Sequence, residues 1–362
     1  MSKLVGSSRN LAVAAVVLAL LVLPLVGSDF FVSFVMTRTV MLGLAAATIV
    51  FLSSYGGMVS LAQLLFVGVG GFMVGNAVGE GGTKGLKLGW NPWLGVVFAL
   101  AVTVVLALGL GALASRTTGI YFLMLTLTYA VIGYYFFGQV TTFSGFGGIT
   151  GIRPPGFFDG HPVRFYYLCL VLSVVAYVAF RRLAATPFGL ALQGVRDDPV
   201  RMASLGFNVA LQRTIAFTIA GFVAGVAGVL NIWWNGQIDP TSISIGPTMD
   251  LLIVAVIGGI AYLEGAWLGA FVFVIANNYM RDLPFASSIG LTEARFATVV
   301  GVLVLVIMVL SPDGLVGVIL RVRSALTRSP GSRDGTAAGA DRASDALKEM
   351  TISTHLTEGR TT

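Results

Sequence analysis

Residues 39–79, TVMLGLAAATIVFLSSYGGMVSLAQLLFVGVGGFMVGNAVG, run without a single Asp, Glu, Lys or Arg. A helix that crosses a bilayer needs roughly 20 mostly apolar residues, so this stretch holds two crossings. The small-residue run Ser53-Ser54-Tyr55-Gly56-Gly57 is the expected turn between them. Further uncharged windows lie at 10–28, 88–115, 117–152, 165–180, 214–238, 265–280 and 296–312. The chain is 56% hydrophobic and only 10% charged, with a mean hydropathy of +0.90, whereas soluble domains are about one-quarter charged. The expectation is an all-α polytopic membrane protein of about ten transmembrane helices, with tandem halves hinted at by the echo of Gly56-Gly57 with Leu61 in Gly258-Gly259 with Leu263. The spans read as 10–27, 34–53, 59–78, 92–114, 118–138, 164–181, 213–232, 247–260, 264–280 and 296–312. The 247–260 and 264–280 pair reads equally as one broken or re-entrant element, which sets the lower bound at eight spans.

Lys and Arg in short loops set orientation. Arg181, Arg182, Arg196, Arg201 and Arg213 crowd the loop 181–213, and Arg321, Arg323 and Arg328 follow the last span. With ten spans these fall on the same side as Lys3, Arg9 and Arg116, which places the N- and C-termini in the cytoplasm. The opposite side holds Lys84, Lys87, Arg153, Arg164, Arg281 and Arg295, so the bias rests mainly on the 181–213 loop. The organisation expected is a transmembrane domain over 1–320, a polar loop at 181–213 within it, and a disordered cytoplasmic tail over 321–362, where apolar periodicity ends. Lys3 and Arg9 ahead of the run Leu11–Val26 have the outline of a signal peptide, but the run is long and no A-x-A site follows it. Glycines four apart, Gly71 with Gly75, Gly221 with Gly225 and Gly265 with Gly269, are expected to let helix backbones approach closely in lipid.

Several chemistries are excluded by what is scarce. His161 and His355 are the two histidines, one in a Gly/Pro-rich loop and one in the polar tail, which argues against a His-based metal site or catalytic triad. Cys169 is the one cysteine, so no intrachain disulfide forms. No G-x-x-x-x-G-K-[ST] phosphate loop occurs, so ATP is not bound here in the Walker manner. The chain is expected to be no enzyme, with no catalytic residues, metal or cofactor of its own.

The loop 181–213 has its own internal punctuation. Asp198 is a good N-cap, Pro199 suits the first helical position, and Gly206 closes the other end in a left-handed conformation. The helix so defined, Pro199–Leu205, shows Val200, Met202, Ala203 and Leu205 as apolar surface. So short a helix is marginal alone and must pack on something. It either lies on its own bundle or docks into a partner.

Four blocks of the chain resemble the permease subunits of branched-chain amino-acid ABC importers, in the wider group that includes urea and simple-sugar importers. Tyr55-Gly56-Gly57-Met58-Val59-Ser60-Leu61-Ala62-Gln63 with Phe66 and Gly68-Val69-Gly70 is similar to the early family signature. Arg116-Thr117-Thr118-Gly119-Ile120-Tyr121-Phe122-Leu123-Met124-Leu125-Thr126-Leu127 is similar to its arginine-then-GIYF block. Gly147-Gly148-Ile149-Thr150-Gly151-Ile152 resembles its glycine-rich external loop. Pro187-Phe188-Gly189 through Val195-Arg196-Asp197-Asp198 to Ala203-Ser204-Leu205-Gly206 resembles its coupling loop. The closing Ser311-Pro312-Asp313-Gly314-Leu315-Val316-Gly317 fits as well, so the likeness spans roughly 30–320. Met58 stands where the family usually has glutamine and Gln63 where it often has histidine. Pro199 and Arg201 replace the usual acidic residue and alanine, and Glu264 sits in a turn that is usually uncharged.

The resemblance implies a permease that pairs with a homologous permease subunit or a second copy, two ATPase subunits that hydrolyse the ATP, and an external solute-binding protein, in a prokaryotic inner membrane. It implies coupling to the ATPase through Gly189, Arg196, Asp197, Asp198, Pro199, Arg201, Ala203 and Gly206, and docking of the binding protein near Gly147, Gly148 and Gly151. The expected cargo is a small polar nutrient, a branched-chain amino acid first, with urea or a simple sugar as the alternative. Polar residues in otherwise apolar helices, Ser60, Gln63, Thr126, Thr128 and Tyr129 with Tyr55 and Gly57, are candidates for the pathway, against the plainer role of helix-to-helix hydrogen bonding. Gly258, Gly259 and Glu264 are gate candidates, with a helix-dipole role the plainer one for Glu264. Arg38 and Asp250 lie near span ends, where snorkelling explains them. An ion-coupled secondary transporter is the rival from another class, and it calls for broken helices or paired carboxylates in both halves.

Overall fold

The computed structural model describes residues 16–24, 31–79, 86, 88–282, 301, 314–318 and 321. Its helices are α1 (16–24), α2 (Thr37–Gly56, entered through a π-type turn at Phe31–Met36), α3 (Gln63–Val78), α4 (Pro92–Ala114), α5 (Ile120–Gln139), α6 (Pro162–Ala185), α7 (Pro187–Asp197), α8 (Pro199–Ser204), α9 (Val209–Asn235), α10 (Ile245–Gly258) and α11 (Gly265–Asp282). Two short strands, β1 (Ile149–Thr150) and β2 (Gln237–Ile238), and a single 3₁₀ turn at Pro240–Ile243 complete the described elements. Met1–Gly317 forms one compact unit and Val318–Thr362 another; all that follows concerns the first.

Among the described residues, five helical stretches are long and apolar enough to cross a bilayer: Phe34–Gly56, Pro92–Ala114, Ile120–Gln139, Pro162–Ala185 and Val209–Asn235. Gln63–Val78, Ile245–Gly258 and Gly265–Asn278 are shorter apolar helices. These eight correspond to the second through ninth expected spans. The first expected span is described at 16–24 alone; the tenth, 296–312, and the tail 321–362 lie outside the described residues apart from Gly301 and Arg321.

Two boundaries differ from the sequence reading, for physical reasons. The break between the second and third spans falls at 57–62 rather than 53–57, because Ser54 Oγ donates to Val50 O at 2.7 Å and so stays within the helix. Gly57, at φ 64°, ends α2 instead, with its N–H bonded to Ser53 O and Met58 N–H reaching back to Leu52 O at 3.0 Å. The segment 181–213, read as a loop with one short helix, contains a second helix, α7. Thr186 caps it, accepting from Gly189 N at 3.3 Å, and Pro187 occupies its first turn.

Glycines set how close the central helices come. At Gly228 a Cβ would collide with the Val67 carbonyl, and at Gly70 with that of Gly225, so α3 and α9 meet backbone to backbone. Gly221 and Gly225 seat α9 on Ala107 and Thr103 of α4, at 2.7 and 2.9 Å from the position a Cβ would take. Aromatic pairs fill the wider gaps: Phe51 stacks on Phe180 at 4.4 Å between α2 and α6, and Phe72 on Phe137 at 4.1 Å between α3 and α5. α10 and α11 form a tight hairpin, for Gly258 abuts the Gly265 backbone and Gly269 the Val254 carbonyl. The 14 residues of α10 give it about 21 Å at 1.5 Å per residue, short of the roughly 30 Å hydrocarbon core.

Candidate functional site

The ends of α2 and α6, the helices α7 and α8, the start of α9 and the α10–α11 turn come to the same end of the bundle. Here α7 lies on the bundle through Gly189, Ala191, Leu192 and Val195, all buried. Gly189 is a contact glycine, since a Cβ would strike the Leu183 carbonyl. Gln193 Nε2 donates to Ala184 O at 3.0 Å and fixes α7 against the end of α6.

The short helix α8 forms as its punctuation requires. Asp198 Oδ1 accepts from Val200 N at 3.1 Å and Arg201 N at 3.0 Å. At the other end Gly206, with φ 89°, lets Phe207 N–H return to Met202 O at 3.1 Å. Met202 packs on Gly194 of α7. No residue of α8 is buried, and Val200 (75% exposed), Leu205 (65%) and Phe207 (43%) stand uncovered. α8 thus touches its own bundle through Met202 and leaves Val200 and Leu205 exposed.

Arg196 joins this element to the bundle. Its guanidinium donates to the Ser54 carbonyl in the last turn of α2, and its Nε to Asp197 Oδ1 at 2.9 Å. Its aliphatic stem lies over Gly57, where a Cβ would come 2.6 Å from Arg196 Cγ. Leu192 packs beside Gly56. The first and fourth blocks, distant in sequence, are therefore in direct contact.

From Gly57 the chain runs non-helically through 58–62, with Met58, Ser60, Leu61 and Ala62 buried, before α3 begins. Irregular backbone at membrane depth is tolerated where protein covers it. Thr126 Oγ1 supports it, accepting from Leu61 N at 3.1 Å while donating to Leu123 O at 2.9 Å. Ser60 Oγ accepts from Ala62 N at 3.2 Å. Gln63, the first residue of α3, is 0% exposed, and neither polar atom of its amide has a hydrogen-bond partner among the described residues. A buried polar group left in that state costs about 1–3 kcal/mol. Ser60, Gln63 and Thr126 are thus brought to one place and Tyr55 lies at the last turn of α2. Tyr129 is buried and reaches Leu110 O at 3.4 Å. Thr128 sits elsewhere, on an outward face of α5 with Tyr121, Met124, Ile132 and Tyr135, its hydroxyl bonded to Met124 O at 3.0 Å.

At the α10–α11 turn, Gly259 adopts φ 112°, a conformation that calls for glycine. Glu264 immediately precedes α11, where a carboxylate suits the helix dipole, and it also accepts from Tyr177 Oη at 2.7 Å. Arg181 donates to the same Tyr177 oxygen at 3.1 Å, and the Tyr177 ring meets Trp267 edge-on at 5.9 Å. Sequence reasoning missed Tyr177, Arg181 and Trp267 as a cluster; the i, i+4 spacing of Tyr177 and Arg181 near the end of α6 was the available signal.

At the opposite end β1 pairs antiparallel with β2, Ile149 opposite Ile238. Gly148 is buried at φ 68°, where a Cβ would lie 2.5 Å from Ile238 O, so it serves this junction. Gly151 (φ 80°) has open space around it, and Gly147 is exposed.

A bundle of bilayer-length apolar helices, with a buried helix start inside and an exposed capped helix at one end, defines a polytopic membrane protein. The model of the permease component of the branched-chain amino acid transport system matches residues 31–311, and the chain belongs to that family. The high-affinity branched-chain amino acid transport permease protein LivM of Salmonella typhimurium is 30% identical over 179 residues, 49% of this chain and 39% of that protein. The probable branched-chain amino acid transport permease LivM of Methanocaldococcus jannaschii is 24% identical over 297 residues, 76% of this chain and 84% of the relative. The ribose import permease RbsC of Haemophilus influenzae is 23% identical over 154 residues, 41% and 46% of the two chains. The match thus spans about two-fifths of the Salmonella relative and most of the archaeal one. No solved structure matches.

Proposed function

We propose that the chain is the transmembrane permease subunit of an ATP-driven importer, carrying a branched-chain amino acid by alternating access. The observation that carries the reading is the exposed helix α8, capped at both ends, with Val200, Leu205 and Phe207 uncovered. Apolar side chains on so short a helix call for a partner, and a chain that lacks a phosphate loop needs a separate ATPase. Two ATPase subunits would grip α8. Their closure would move α7 and, through Arg196, the Gly57 turn and the buried start of α3. Such a push shifts the bundle between outward-open and inward-open states in proportion to the partner's differential affinity for them.

The Arg-rich end is then cytoplasmic, with both termini on that side. A second permease subunit, homologous or identical, would cover the α5 face that carries Tyr121, Thr128 and Tyr135, polar groups ill suited to lipid. The Gly147–Gly151 junction at the opposite end would face an external solute-binding protein. Similarity to both branched-chain amino acid permeases and a ribose permease leaves a simple-sugar or urea importer as the second reading.

The test is reconstitution of the chain with co-expressed neighbouring subunits in proteoliposomes. ATP-dependent uptake of leucine, isoleucine or valine, lost when Leu205 and Phe207 are both changed to Ser, is expected. Uptake of ribose or urea in place of leucine would transfer the reading to the alternative. Purification without any ATPase would overturn the ATP-driven class.

A further inference from the structure

We infer that the buried start of α3 is a subsite for the carboxylate of the transported solute, with the Gln63 amide as its side-chain ligand. The solute's identity rests on the import reading above; the subsite itself rests on the geometry of α3.

Three observations converge there. First, α3 begins inside the bundle: along the non-helical segment 57–62 Gly57 is exposed and Val59 half-buried, but Ser60, Leu61, Ala62 and Gln63 are all at 0–2% exposure. The first bond recorded into this helix is Phe66 N to Ala62 O, so the N–H groups of Gln63, Leu64 and Leu65 precede the intrahelical ladder. Such groups, with the positive end of the helix dipole, form an anion-binding surface, and broken helices in transporters use it for carboxylates. Second, Gln63 is fully buried and both its amide nitrogen and its amide oxygen lack partners among the described residues. Its Cα–Cβ bond tilts toward the N-terminal end of α3, as in any α-helix, so the amide is within reach of that end. Buried polar atoms are nearly always satisfied, so this amide calls for a partner, whether water, ion or solute. Third, the neighbouring polar groups are already committed: Ser60 Oγ accepts from Ala62 N, and Thr126 Oγ1 holds Leu61 N. They fix the loop and leave Gln63 as the open valence.

A neutral amide and a helix end suit a carrier. They hold a carboxylate by donation without a fixed countercharge, and the solute can leave. The segment 57–62 links this site directly to Gly57, on which Arg196 rests. Movement of α7 would therefore admit the solute to Gln63 and expel it.

The experiment uses the full chain in lipid nanodiscs, read by thermal unfolding with L-leucine, L-leucinamide, ribose and urea as probes. Leucine is expected to protect the wild type and leucinamide, which lacks the carboxylate, to protect it little. In Gln63→Leu, which is close in volume and removes the orphan amide, the unprotected midpoint is expected to rise while the leucine concentration for half-protection increases about 10-fold or more. Gln63→Glu, which presents like charge, is expected to abolish protection by leucine. Equal leucine protection in wild type and Gln63→Leu, equal protection by leucinamide and leucine, or protection by ribose or urea and not by leucine would each overturn the subsite. A Gln63→Leu chain with a lowered midpoint would make Gln63 a structural residue and overturn it too. In parallel, absence of leucine uptake by the reconstituted assembly, with carboxylate protection intact, would remove the import reading and leave the subsite standing.

Discussion

Asp198→Ala removes the cap of α8 and nothing else, because the carboxylate bonds only Val200 N and Arg201 N and its remaining surface is in solvent. Loss of an N-cap of this kind costs about 1 kcal/mol, within roughly 0.5–2. In a long helix that is a minor loss. Here α8 is six residues with no buried side chain, held by Met202 on Gly194 and by the Gly206 turn, so its folded fraction has little reserve. A loss of about 1 kcal/mol shifts the equilibrium roughly 5-fold toward the unfolded segment. ATP-dependent uptake should fall by about that factor, with faster amide hydrogen exchange at Val200 and Arg201 and an unchanged global unfolding midpoint. Asp198→Asn, an equally good cap without charge, should retain uptake. If Asp198→Ala exchanges and transports like wild type, or if Asp198→Asn fails as Asp198→Ala does, then capping is not what Asp198 contributes.

The remaining predictions address the links around that element. Gly57→Ala must hold a left-handed φ of 64° and set a Cβ 2.6 Å from Arg196 Cγ; the conformational part alone costs about 1–2 kcal/mol, and uptake should drop while the chain still reaches the membrane, a result checked by quantitative blotting beside transport. Gly228→Ala drives a Cβ into the Val67 carbonyl, so little folded protein should be recovered, by size-exclusion chromatography in mild detergent. Tyr177→Phe removes the donor to Glu264 and the acceptor for Arg181; about 1–3 kcal/mol of stabilisation should be lost, seen as a lower thermal midpoint that Glu264→Gln, which can still accept, reproduces only in part. Cys169, at 0% exposure, should resist maleimide in the folded chain and label fully once the chain is unfolded.

Most of the helical layout was legible because lipid imposes a simple rule: uncharged windows of bilayer length become helices. The boundaries that moved did so where a local bond overrode composition, as Ser54 did by donating to Val50 O and staying helical. The cap at Asp198 and the turn at Gly206 were legible from residue type, because each has one physical function in that position. The helix α7 was not, since its buried face of Gly189, Ala191, Leu192 and Val195 is short and the helix holds Gly189 and Gly194, poor helix formers, in so brief a stretch. Glycine roles were legible in kind and not in pairing: Gly221 and Gly225 do seat α9 on α4, but the crossing of α3 with α9 runs through Gly70 and Gly228, which no fixed spacing marks. Thr126 and Thr128 look alike in sequence and face opposite ways, a difference of 200° around the helix that only the packed neighbours of α5 decide.

Two of the polar contacts made by the end of α6 and the helix after it reach different parts of the bundle. Arg196 on α7 meets the Ser54 carbonyl and Gly57, at the head of the non-helical segment that leads to Gln63. Tyr177 on α6, held in turn by Arg181, meets Glu264, at the head of α11, whose Gly265 and Gly269 lock it to α10. One destination is a helix end and the other a helix start, each at a glycine turn where backbone can reorient with little steric penalty. A displacement of α7 and α8 would therefore be felt at two hinges at once, one at each side of the bundle end. If these act as a pair, Arg196→Ala and Tyr177→Phe should be non-additive for uptake though their side chains do not share a bond. A double variant whose loss in log rate equals the sum of the single losses would show instead that each contact only steadies its own helix.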